Sequence, residues 1–479
     1  RRLLQEGLSG RKEKNMNKFS KTIFALSSLA LISSCGDSSP SAPSLTPAER
    51  VFASGKVYFQ AGTEENLSAS IELSGSIASI SCGRSKAEAG EYSYADGILT
   101  LAGSFLKDIS AGEKDIRIVT DAGTKTLSAL SATKIITTAQ EFQDINSDLD
   151  GTYVLGQDID LSSIPNFEPL GRYVSEEDTS NHYFHGILEG NGHTVKNAKV
   201  YWSDDVGNNL NVYNNTGTHF QDIAHKNGDN IGLFQIIGSA GVVRNVNFSN
   251  IKVRGRTIVG VIAGNLAGTV YNCTIDESCK AEMGTHFYDD DCNMGGAFGI
   301  VGASGYAYNV ISSLTSLTLG GRGAGNDDLG VYCDYDDKYK TESGGNGWDH
   351  QTDNPDCNWW KFCGVDKEDG KVLDSNGAPS NGQYAFVGKC WGKVSHCVAR
   401  SFTYAPMNGS SRSIYFGQTH KGENKPTSGE SDMGELEDCK LLGASEMKDP
   451  AQYEAFSSEE WKIESGSIPT LIPAYTFAD

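Results

Sequence analysis

The amino-acid sequence predicts an all-β protein, in which a β-solenoid follows a small N-terminal β-sandwich. Glycine accounts for 55 of the 479 residues, a composition that suits turns and strand corners better than helices. The phrase "GLFQIIGSAGVVRNVNFSNI" at 232–251 returns in nearly the same form as "GVIAGNLAGTVYNCTI" at 260–275. A repeat of about 20 to 30 residues with short apolar strands indicates a solenoid, because no single unit can bury its own apolar face.

The first element of the chain is predicted to be a secretory signal, assigned to residues 1–34 with an over-extended start at 1–15. The stretch "MNKFSKTIFALSSLALISSC" at 16–35 has a basic start and an apolar core that is too short to span a bilayer. Its end, "ISSC", resembles a bacterial lipobox, and this resemblance implies that Cys35 becomes the lipidated first residue. The alternative is an ordinary signal peptide with an incidental cysteine. We therefore expect an exported, membrane-anchored lipoprotein of the outer membrane or cell surface.

The net charge argues against one class of partner. The formal charge is −21. Loss of residues 1–34 removes seven basic and two acidic side chains, a net charge of +5, and leaves −26. Nucleic acid is a polyanion and would be repelled by so acidic a protein. We therefore expect no nucleic-acid partner.

Residues 35–50 are predicted to form the lipidated cysteine and a Ser/Pro-rich tether, and residues 51–134 a small β-sandwich. The second stretch alternates with period two and carries a turn signal at Asp96 and Gly97. The phrase "YSYADGILTLAGSFLKDISAGEKDIRIVTDAG" at 92–123 resembles the end of an immunoglobulin-like module found beside bacterial carbohydrate-active proteins. Both a spacer and a ligand-binding role fit such a module, and the spacer is favoured.

Residues 135–479 are predicted to form the solenoid, with an insertion at about 320–382. The leading positions of its repeats, spaced 28, 36 and 89 residues apart, are Gly232, Gly260, Gly296 and Ala385. A later column is expected at a corner where left-handed backbone is tolerated, and its members are Asn245, Asn272, Asn309, His396 and Asp438. The apolar positions expected to fill two successive layers of one core are Leu233, Phe234, Ile236, Val243 and Val246, then Val261, Ile262, Val270 and Cys273.

The repeated phrase also carries a family resemblance. "IGLFQIIG…GVVRNVNF…VGVIAGNLAGTVYNCTI" is similar to the GLUG repeat of bacterial surface proteins, and "TYVLGQDIDLSS" and "EMKDPAQYEAFSSEEWKIESGSIPTLIP" resemble the opening and the close of such domains. The resemblance covers most of 138–473 and implies a right-handed parallel β-helix of the pectate-lyase-like superfold. The sequence departs from the pattern in the insertion and at Ala385 and His396. A scaffold repeat does not by itself specify a ligand.

Catalytic signatures are not found in the sequence. It contains neither the zinc-protease motif H-E-x-x-H nor the nucleophile elbow G-x-S-x-G. "GNGH" at 190–193 superficially resembles the Gly-His-Gly of pectin-cleaving β-helices and is better explained as a turn. We therefore predict that the protein is not an enzyme. The alternative is a polysaccharide lyase or glycoside hydrolase, for which Arg254 and Arg256 are candidate bases without identified partners.

Two acidic stretches are candidate calcium sites. "NSDLDG" at 146–151 matches the start of a calcium loop, but Gln157 stands at the twelfth position, where a bidentate Glu is needed. We therefore interpret that stretch as part of the opening strand pattern. In the insertion, "CDYDDKY" offers carboxylates that could bind calcium, although a solvated acidic loop is the commoner explanation. The candidate ligands there are Asp334, Asp336 and Asp337, and no other cofactor is expected.

The insertion concentrates aromatic side chains and cysteines. Aromatic rings present flat apolar faces that stack on sugars or anchor a protein partner. The candidate ligand-binding residues are Trp348, Trp359, Trp360 and Tyr335. The compatible alternative is a mini-core of aromatics held by disulfides, with Cys279, Cys292 or Cys390 as partners for the insertion's own cysteines. The cysteines expected instead to be buried thiols of the repeats are Cys273, Cys397 and Cys439.

These predictions favour a surface-exposed, lipid-anchored protein that acts in binding or adhesion. Its expected partners are the membrane, through the lipid, and a glycan or the surface of a host or neighbouring cell. The first alternative is the polysaccharide-acting enzyme described above, and the second is a structural stalk without a specific ligand.

A glycan array separates binding from a stalk. We expect the wild-type protein to bind and the Trp359→Ala/Trp360→Ala variant to lose most of that binding, because truncating an aromatic anchor costs about 2 kcal/mol of binding energy. If both proteins bound nothing, or bound equally, the role given to these two residues would be lost.

Overall fold

The computed structural model is all-β, as predicted, and most of its paired strands run parallel. It describes residues 45, 50–52, 56–165, 167–171, 182–200, 230–255, 258–284, 293–320, 383–404, 412–413, 415–419, 434–473 and 475–477. All of these belong to one compact unit, Ser44–Asp479. The predicted signal peptide, Cys35 and residues 321–382 of the predicted insertion lie outside the described residues.

The N-terminal module, which we define as residues 50–132, consists of two sheets around one core. Its strands are β1 (Arg50–Phe52), β2 (Lys56–Gln60), β3 (Leu67–Ser70), β4 (Ile77–Cys82), β5 (Ser85–Lys86), β6 (Tyr92–Ala95), β7 (Ile98–Leu101), β8 (Gly112–Thr120) and β9 (Gly123–Ala132). One sheet has the order β2-β9-β8-β4-β5, and the other contains β1-β3-β7-β6. Because side chains alternate along a strand, each sheet turns one apolar face inward, with Leu99 from one sheet and Ile116 from the other fully buried. A short helix, α1 (Gly103–Leu106), follows β7.

The stacked region, which we define as residues 134–442, is made of short strands. They are β10 (Lys134–Ile136), β11 (Thr152–Leu155), β12 (Ile159–Asp160), β13 (Ile187–Glu189), β14 (Thr194–Lys196), β15 (Lys199–Val200), β16 (Asn230–Ile231), β17 (Phe234–Ile237), β18 (Val242–Arg244), β19 (Asn247–Ser249), β20 (Lys252–Gly255), β21 (Ile258–Val259), β22 (Ala263–Leu266), β23 (Thr269–Ile275), β24 (Lys280–Gly284), β25 (Asn293–Gly295), β26 (Phe298–Val301), β27 (Tyr306–Ser312), β28 (Leu317–Gly320), β29 (Gln383–Cys390), β30 (Lys393–Ser395), β31 (Val398–Arg400), β32 (Thr403–Tyr404), β33 (Arg412–Ser413), β34 (Tyr415–Thr419), β35 (Glu435–Glu437) and β36 (Lys440–Leu442).

Helix α2 (Ala139–Gln143) opens the stacked region after β10. Thr138 and Glu141 form a capping box at its N-terminus, in which each side chain accepts a hydrogen bond from the other residue's backbone N–H. Burial raises the pKa of Glu141, but hydrogen bonds from Lys134 and Thr137 outweigh burial and lower it to about 2. Two 3₁₀ turns, Asp144–Ser147 and Leu161–Ser163, flank the next strands.

Each repeat pairs with the next repeat in parallel. Ile231 pairs with Val259, and Phe298 pairs with Val387 across the insertion, so the predicted spacings of 28 and 89 residues are confirmed. Val259 pairs with Met294, which is 35 residues on instead of the predicted 36. The pairings build three parallel sheets of 13, 8 and 4 strands. Only β32 and β33 pair antiparallel among the described strands of this region. Parallel pairing of this kind satisfies the backbone N–H and C=O groups of one repeat with those of its neighbours.

The inward side chains of the stacked region share one core. Val246, Cys273 and Val310 are all fully buried and belong to it. The predicted layer residues also lie in this core, with the exception of Ile236. Its neighbour Ile237 lies in this core instead, whereas Ile236 is buried without belonging to the core cluster.

One corner of the stack has left-handed backbone in six successive repeats, with φ between 48° and 56°. Short polar side chains tolerate this conformation better than other L-residues do. The prediction of an Asn-type corner is therefore confirmed, including His396, where the sequence departs from the repeat pattern. The members of this Asn corner are Asn191, Asn245, Asn272, Asn309, His396 and Asp438. The corner divides the 13-stranded sheet into two halves. The strand segments that precede the corner in each repeat form what we call the first strip, and the segments that follow it form the second strip.

A second corner carries a ladder of side-chain hydrogen bonds. Asn197 and Asn250 have φ values of 65° and 47°. The Asn250 amide donates to Asn197 Oδ1, and the Asn197 amide donates to Asp160 Oδ1, both over 2.8 Å. The bond from Asn197 is the main reason that the pKa of Asp160 is lowered. The ladder links three successive repeats through their side chains.

The outer face of the largest sheet is covered in two places. Over the first strip, Ile135, Val154 and Ile187 pack into the core of the N-terminal module. Over the second strip, Ile311 and Val398 pack against a C-terminal segment that we define as residues 443–477. The elements of this segment are the 3₁₀ turns Glu446–Lys448 and Pro450–Tyr453 and the strands β37 (Trp461–Lys462), β38 (Thr470–Leu471) and β39 (Tyr475–Phe477).

The end of the chain returns to its beginning. Strand β39 pairs antiparallel with β1, with Thr476 opposite Val51, and so becomes the fifth strand of the module's second sheet. The module therefore contacts the stacked region both through its own core and through the C-terminal segment.

The second-corner ladder generates a stability prediction. Asn250→Ala is expected to lower the free energy of unfolding by about 2 kcal/mol, because it removes a hydrogen bond worth about 1 kcal/mol and leaves a left-handed residue that costs about 1 kcal/mol. Asn250→Gly loses only the hydrogen bond and should cost about half as much. Urea unfolding followed by circular dichroism measures both. An alanine variant as stable as the glycine variant would contradict the backbone part of this explanation.

Candidate ligand-binding site

The predicted site residues of the insertion and the lipidation site lie outside the described residues. They are Trp348, Trp359, Trp360, Tyr335, Asp334, Asp336, Asp337 and Cys35. Their roles in ligand binding, calcium binding and anchoring therefore stay predictions. Among the described residues, no group of three or more His, Cys, Asp or Glu side chains could hold a metal ion.

A different candidate site lies where the N-terminal module ends on the outer face of the first strip. A cavity of about 400 Å³ opens there, a volume within the range of small-molecule sites. We call it the bay. Its polar and aromatic lining residues are Lys56, Tyr58, Glu113, Lys114, Asp115, Ser128, Glu189, Asn191, Arg244, Asn245 and Tyr271. Strands β2, β8 and β9 of the module form one wall, and β13, β18 and β23 of the stacked region form the other.

Strand register explains why the outward side chains of the stacked region gather here. Glu189 pairs with Arg244, Arg244 with Tyr271, and Tyr271 with Tyr308. Arg244, Tyr271 and Tyr308 each stand immediately before a residue of the Asn corner, and Glu189 stands two positions before Asn191. All four follow an inward apolar residue. The column therefore points outward in every repeat. Its first members contact the module, and its later members extend beyond it.

Three tyrosines continue the column as a stack. The rings of Tyr271 and Tyr308 lie 4.6 Å apart and only 6° from parallel. The ring of Tyr306 lies 4.9 Å from that of Tyr308, and its hydroxyl is 2.8 Å from Ser395 Oγ. All three tyrosines are half-buried. Such a stack presents ring edges and hydroxyl groups, which suits a ligand with both apolar and polar surfaces.

Arg244 is the centre of the polar contacts in the bay. Its Nε donates to Glu189 Oε2 over 2.7 Å, and its Nη1 donates to Glu113 Oε1 over 2.8 Å and to the Tyr271 hydroxyl over 2.9 Å. Burial is the largest single effect and lowers the pKa of Arg244, but the charge of Glu189 and the hydrogen bonds to Glu113 and Glu189 act together with Tyr271 to outweigh it, so the net shift is upward. Burial also raises the pKa of Tyr271 against the opposing effect of Arg244. The guanidinium therefore stays charged and joins the module to the stacked region.

The C-terminal segment contacts residues beside the bay without lining it. Glu460 Oε1 accepts a hydrogen bond from Lys56 Nζ over 2.6 Å, and its second oxygen accepts one from the side chain of Asn272. The Trp461 indole N–H donates to Asn272 Oδ1 over 3.2 Å. Burial lowers the pKa of Lys56, but its bond to Glu460 outweighs burial and raises it. Module, Asn corner and C-terminal segment are thus held together beside the cavity.

The bay was not predicted from the sequence, although one pattern in the sequence indicates part of it. Tyr271 and Tyr308 stand immediately before Asn272 and Asn309, the same position of two consecutive repeats. Two aromatic residues at one outward repeat position predict a pair of stacked rings on the surface. The contribution of Glu113 could not have been found in this way, because it comes from a different part of the chain.

The other residues considered as candidates have structural roles. Arg254 is buried and donates to Glu282 Oε2 on the next strand over 2.6 Å, and Arg256 lies outside the described residues. In "GNGH", Asn191 and Gly192 both have positive φ, so the predicted turn is confirmed. In "NSDLDG", the Asn146 side chain contacts the backbone of residues 169 and 171, which ties a loop in place.

The six described cysteines are free thiols. Pairing of Cys279 or Cys390 with the cysteines of the insertion is therefore wrong, because both are buried in the core of the stacked region. Cys273 and Cys397 are buried as predicted, whereas Cys439 is half-buried. Burial raises the pKa of Cys273 and Cys390 to about 12 and that of Cys439 to about 11. Such thiols are poor nucleophiles and pack as small apolar groups.

Comparison with known proteins assigns no family to the chain. No protein-family model and no solved structure matches it. The curated protein halomucin of Haloquadratum walsbyi (strain DSM 16790 / HBSQ001) is 30% identical over 131 residues, which is 26% of this chain and 1% of halomucin. The match thus spans a very small part of that protein. Within the described residues, no helix has the length and apolar character needed to cross a membrane.

Proposed function

We propose that this protein binds glycans and that the bay is a binding site. The observation that supports this proposal most directly is the cavity beside the tyrosine stack, where the Tyr271 hydroxyl accepts a hydrogen bond from Arg244, which also pairs with Glu189 and Glu113. Sugars combine apolar C–H faces with hydroxyl groups that both donate and accept hydrogen bonds. An aromatic wall together with fixed carboxylate, amide and hydroxyl groups complements both features.

The site is built to keep its shape. The Arg244 guanidinium is only 17% exposed and is held by three partners, and Asn191 donates to the Tyr58 hydroxyl over 2.8 Å. Side chains that are fixed before binding lose little conformational entropy on binding. This preorganisation favours a ligand site over an ordinary contact between two parts of the chain.

We propose further that the stacked region is a right-handed parallel β-helix with GLUG-type repeats and that the N-terminal module is immunoglobulin-like. The parallel pairing of consecutive repeats and the six left-handed residues of the Asn corner support the β-helix. The two five-stranded sheets around one core support the module. The candidate residues Trp348, Trp359, Trp360 and Tyr335 would then form a second contact on the insertion.

Binding is favoured over catalysis by the state of the carboxylates. A glycosidase needs one carboxyl group that is free to donate a proton and a second across the scissile bond. Of the three carboxylates that line the bay, Glu113 and Glu189 both accept hydrogen bonds from the same Arg244 guanidinium. Asp115 therefore has no second free carboxylate in the lining to act with it. The cavity and its tyrosines favour binding over a stalk without a ligand.

Tyr271→Ala is expected to weaken glycan binding at least about tenfold, because it removes the aromatic wall of the bay, and one tenfold step corresponds to about 1.4 kcal/mol. Tyr271→Phe keeps the ring and loses only the hydroxyl, so its binding should stay within about threefold of wild type. A glycan array identifies the bound oligosaccharide, and titration calorimetry with that oligosaccharide measures the affinity. Circular dichroism checks that both variants are folded. Wild-type affinity in the alanine variant would remove the bay from the proposal.

We also propose that the protein is exported and anchored to the outer membrane or cell surface through a lipid on Cys35. The basic start, short apolar core and "ISSC" of residues 16–35 support this proposal. Expression in a bacterium with a labelled fatty acid should label the wild type and leave Cys35→Ser unlabelled. Cys82→Ser is the matched control and should be labelled like the wild type. Equal labelling of the Cys35→Ser variant would exclude this anchor.

A further inference from the structure

We infer that the bay accepts uncharged glycans and rejects anionic ones, and that Glu113 and Asp115 of the N-terminal module set this selectivity. The inference rests on the proposed glycan-binding function and names the class of glycan. Three features of the bay lead to it: the engagement of its cations, the position of the two module carboxylates, and the hydrogen-bonding character of what remains accessible.

Every basic side chain that lines the bay is already engaged within the protein. Arg244 donates to Glu189 and Glu113. Lys56 donates to Glu460, and Lys114 donates to the carbonyl oxygen of residue 111 over 3.0 Å. Recognition of a uronate, sulfate or phosphate group relies on an available guanidinium or ammonium group. Arg244 and Lys56 can bind an anionic sugar only if an existing ion pair breaks. Lys114 forms no ion pair but projects from the opposite face of β8 to Glu113 and Asp115.

The two module carboxylates face the position that such an anion would occupy. Glu113 and Asp115 are alternate residues of β8 and therefore project from the same face of that strand. The Glu113 side chain is 63% exposed although it contacts Arg244. Asp115 is exposed, lines the bay and forms no ion pair with any described residue. A like charge entering beside them is repelled.

The numbers of charged groups in and beside the bay also favour an uncharged ligand. Its lining contains three carboxylates and three cations. Glu460 adds a fourth carboxylate through its pair with Lys56. The whole chain carries a formal charge of −21, which adds a repulsive field for any anion that approaches. An anionic glycan therefore meets repulsion at long range, and at contact Arg244 and Lys56 are already paired with carboxylates.

An uncharged sugar meets neither obstacle. Its hydroxyl groups can donate to the accessible oxygens of Glu113 and Asp115, since an ionised carboxylate is a strong acceptor. Its C–H groups can contact the edge of the Tyr271 ring. The same two residues thus contribute attraction for a neutral sugar and repulsion for an acidic one, which is the usual basis of selectivity.

The experiment compares each sugar with its own acidic form. An array carries gluco-, manno- and galacto-configured hexasaccharides, each in neutral form and with the primary alcohols oxidised to carboxylates. We expect the wild-type protein to bind at least one neutral hexasaccharide at least about tenfold more tightly than its oxidised form. This discrimination should shrink between 0.01 M and 1 M salt, because the screening length falls from about 30 Å to about 3 Å.

The Glu113→Gln/Asp115→Asn variant tests the two residues. Both replacements retain an acceptor oxygen, so the contact of residue 113 with Arg244 can persist, while two charges are removed. We expect the discrimination to fall below about threefold. The matched control is Glu72→Gln/Asp108→Asn, which removes two charges from exposed positions of the same module outside the bay and should discriminate like the wild type.

The possible outcomes separate the proposals. Failure of every protein to bind any glycan overturns both the proposed function and this inference. Binding by the wild type with equal or higher affinity for the oxidised forms overturns the selectivity and leaves glycan binding standing. If the control variant loses discrimination as fully as the bay variant, overall charge is responsible and the assignment to Glu113 and Asp115 is wrong.

Discussion

Backbone hydrogen bonding between one repeat and the next is the constraint on which the rest of this structure depends. The stacked region has strands of only two to eight residues, and none of them could be stable alone, since short isolated strands leave their polar backbone groups unpaired. Parallel pairing with the previous and the following repeat satisfies those groups and encloses the apolar side chains in one core. For the register to hold, the chain must turn at the same place in every repeat, and the left-handed residues of the Asn corner provide that turn.

Stacking of this kind also creates an outer face that must be covered or be polar. At the start of the first strip, Ile135, Val154 and Ile187 lie under the N-terminal module. On the second strip, Ile311 and Val398 lie under the C-terminal segment. The outward column that contains Arg244 and the tyrosines lies between the N-terminal module and the C-terminal segment and stays uncovered. The bay is thus a consequence of where the N-terminal module ends, and its two walls come from the module and the stacked region.

Ion pairs hold the N-terminal module, the stacked region and the C-terminal segment together and still leave the bay accessible to solvent. Arg244 and Lys56 each bridge the stacked region or the C-terminal segment to the module through short ion pairs. Such pairs use up the positive charge of the junction and leave carboxylate oxygens at its mouth. Partial burial limits screening of the Arg244 contacts by salt, whereas the exposed Glu113 and Asp115 remain open to solvent and to a ligand. The arrangement supports the proposed preference for uncharged sugars.

The sequence by itself determined the local and periodic features of this protein: the all-β composition, the repeat spacing, the inward apolar layers and the corner column down to His396 and Asp438. These features depend on residues close together in the chain or one repeat apart, so periodicity reveals them. Ile236 was misplaced because a pattern of apolar residues does not distinguish it from its neighbour Ile237, which lies in the core instead. Only the tertiary structure decided that β39 joins β1, that Glu460 reaches Lys56, and that Glu113 meets Arg244. Those contacts join residues more than a hundred positions apart without any shared periodicity, and they depend on how whole sheets pack against one another, which no local pattern encodes.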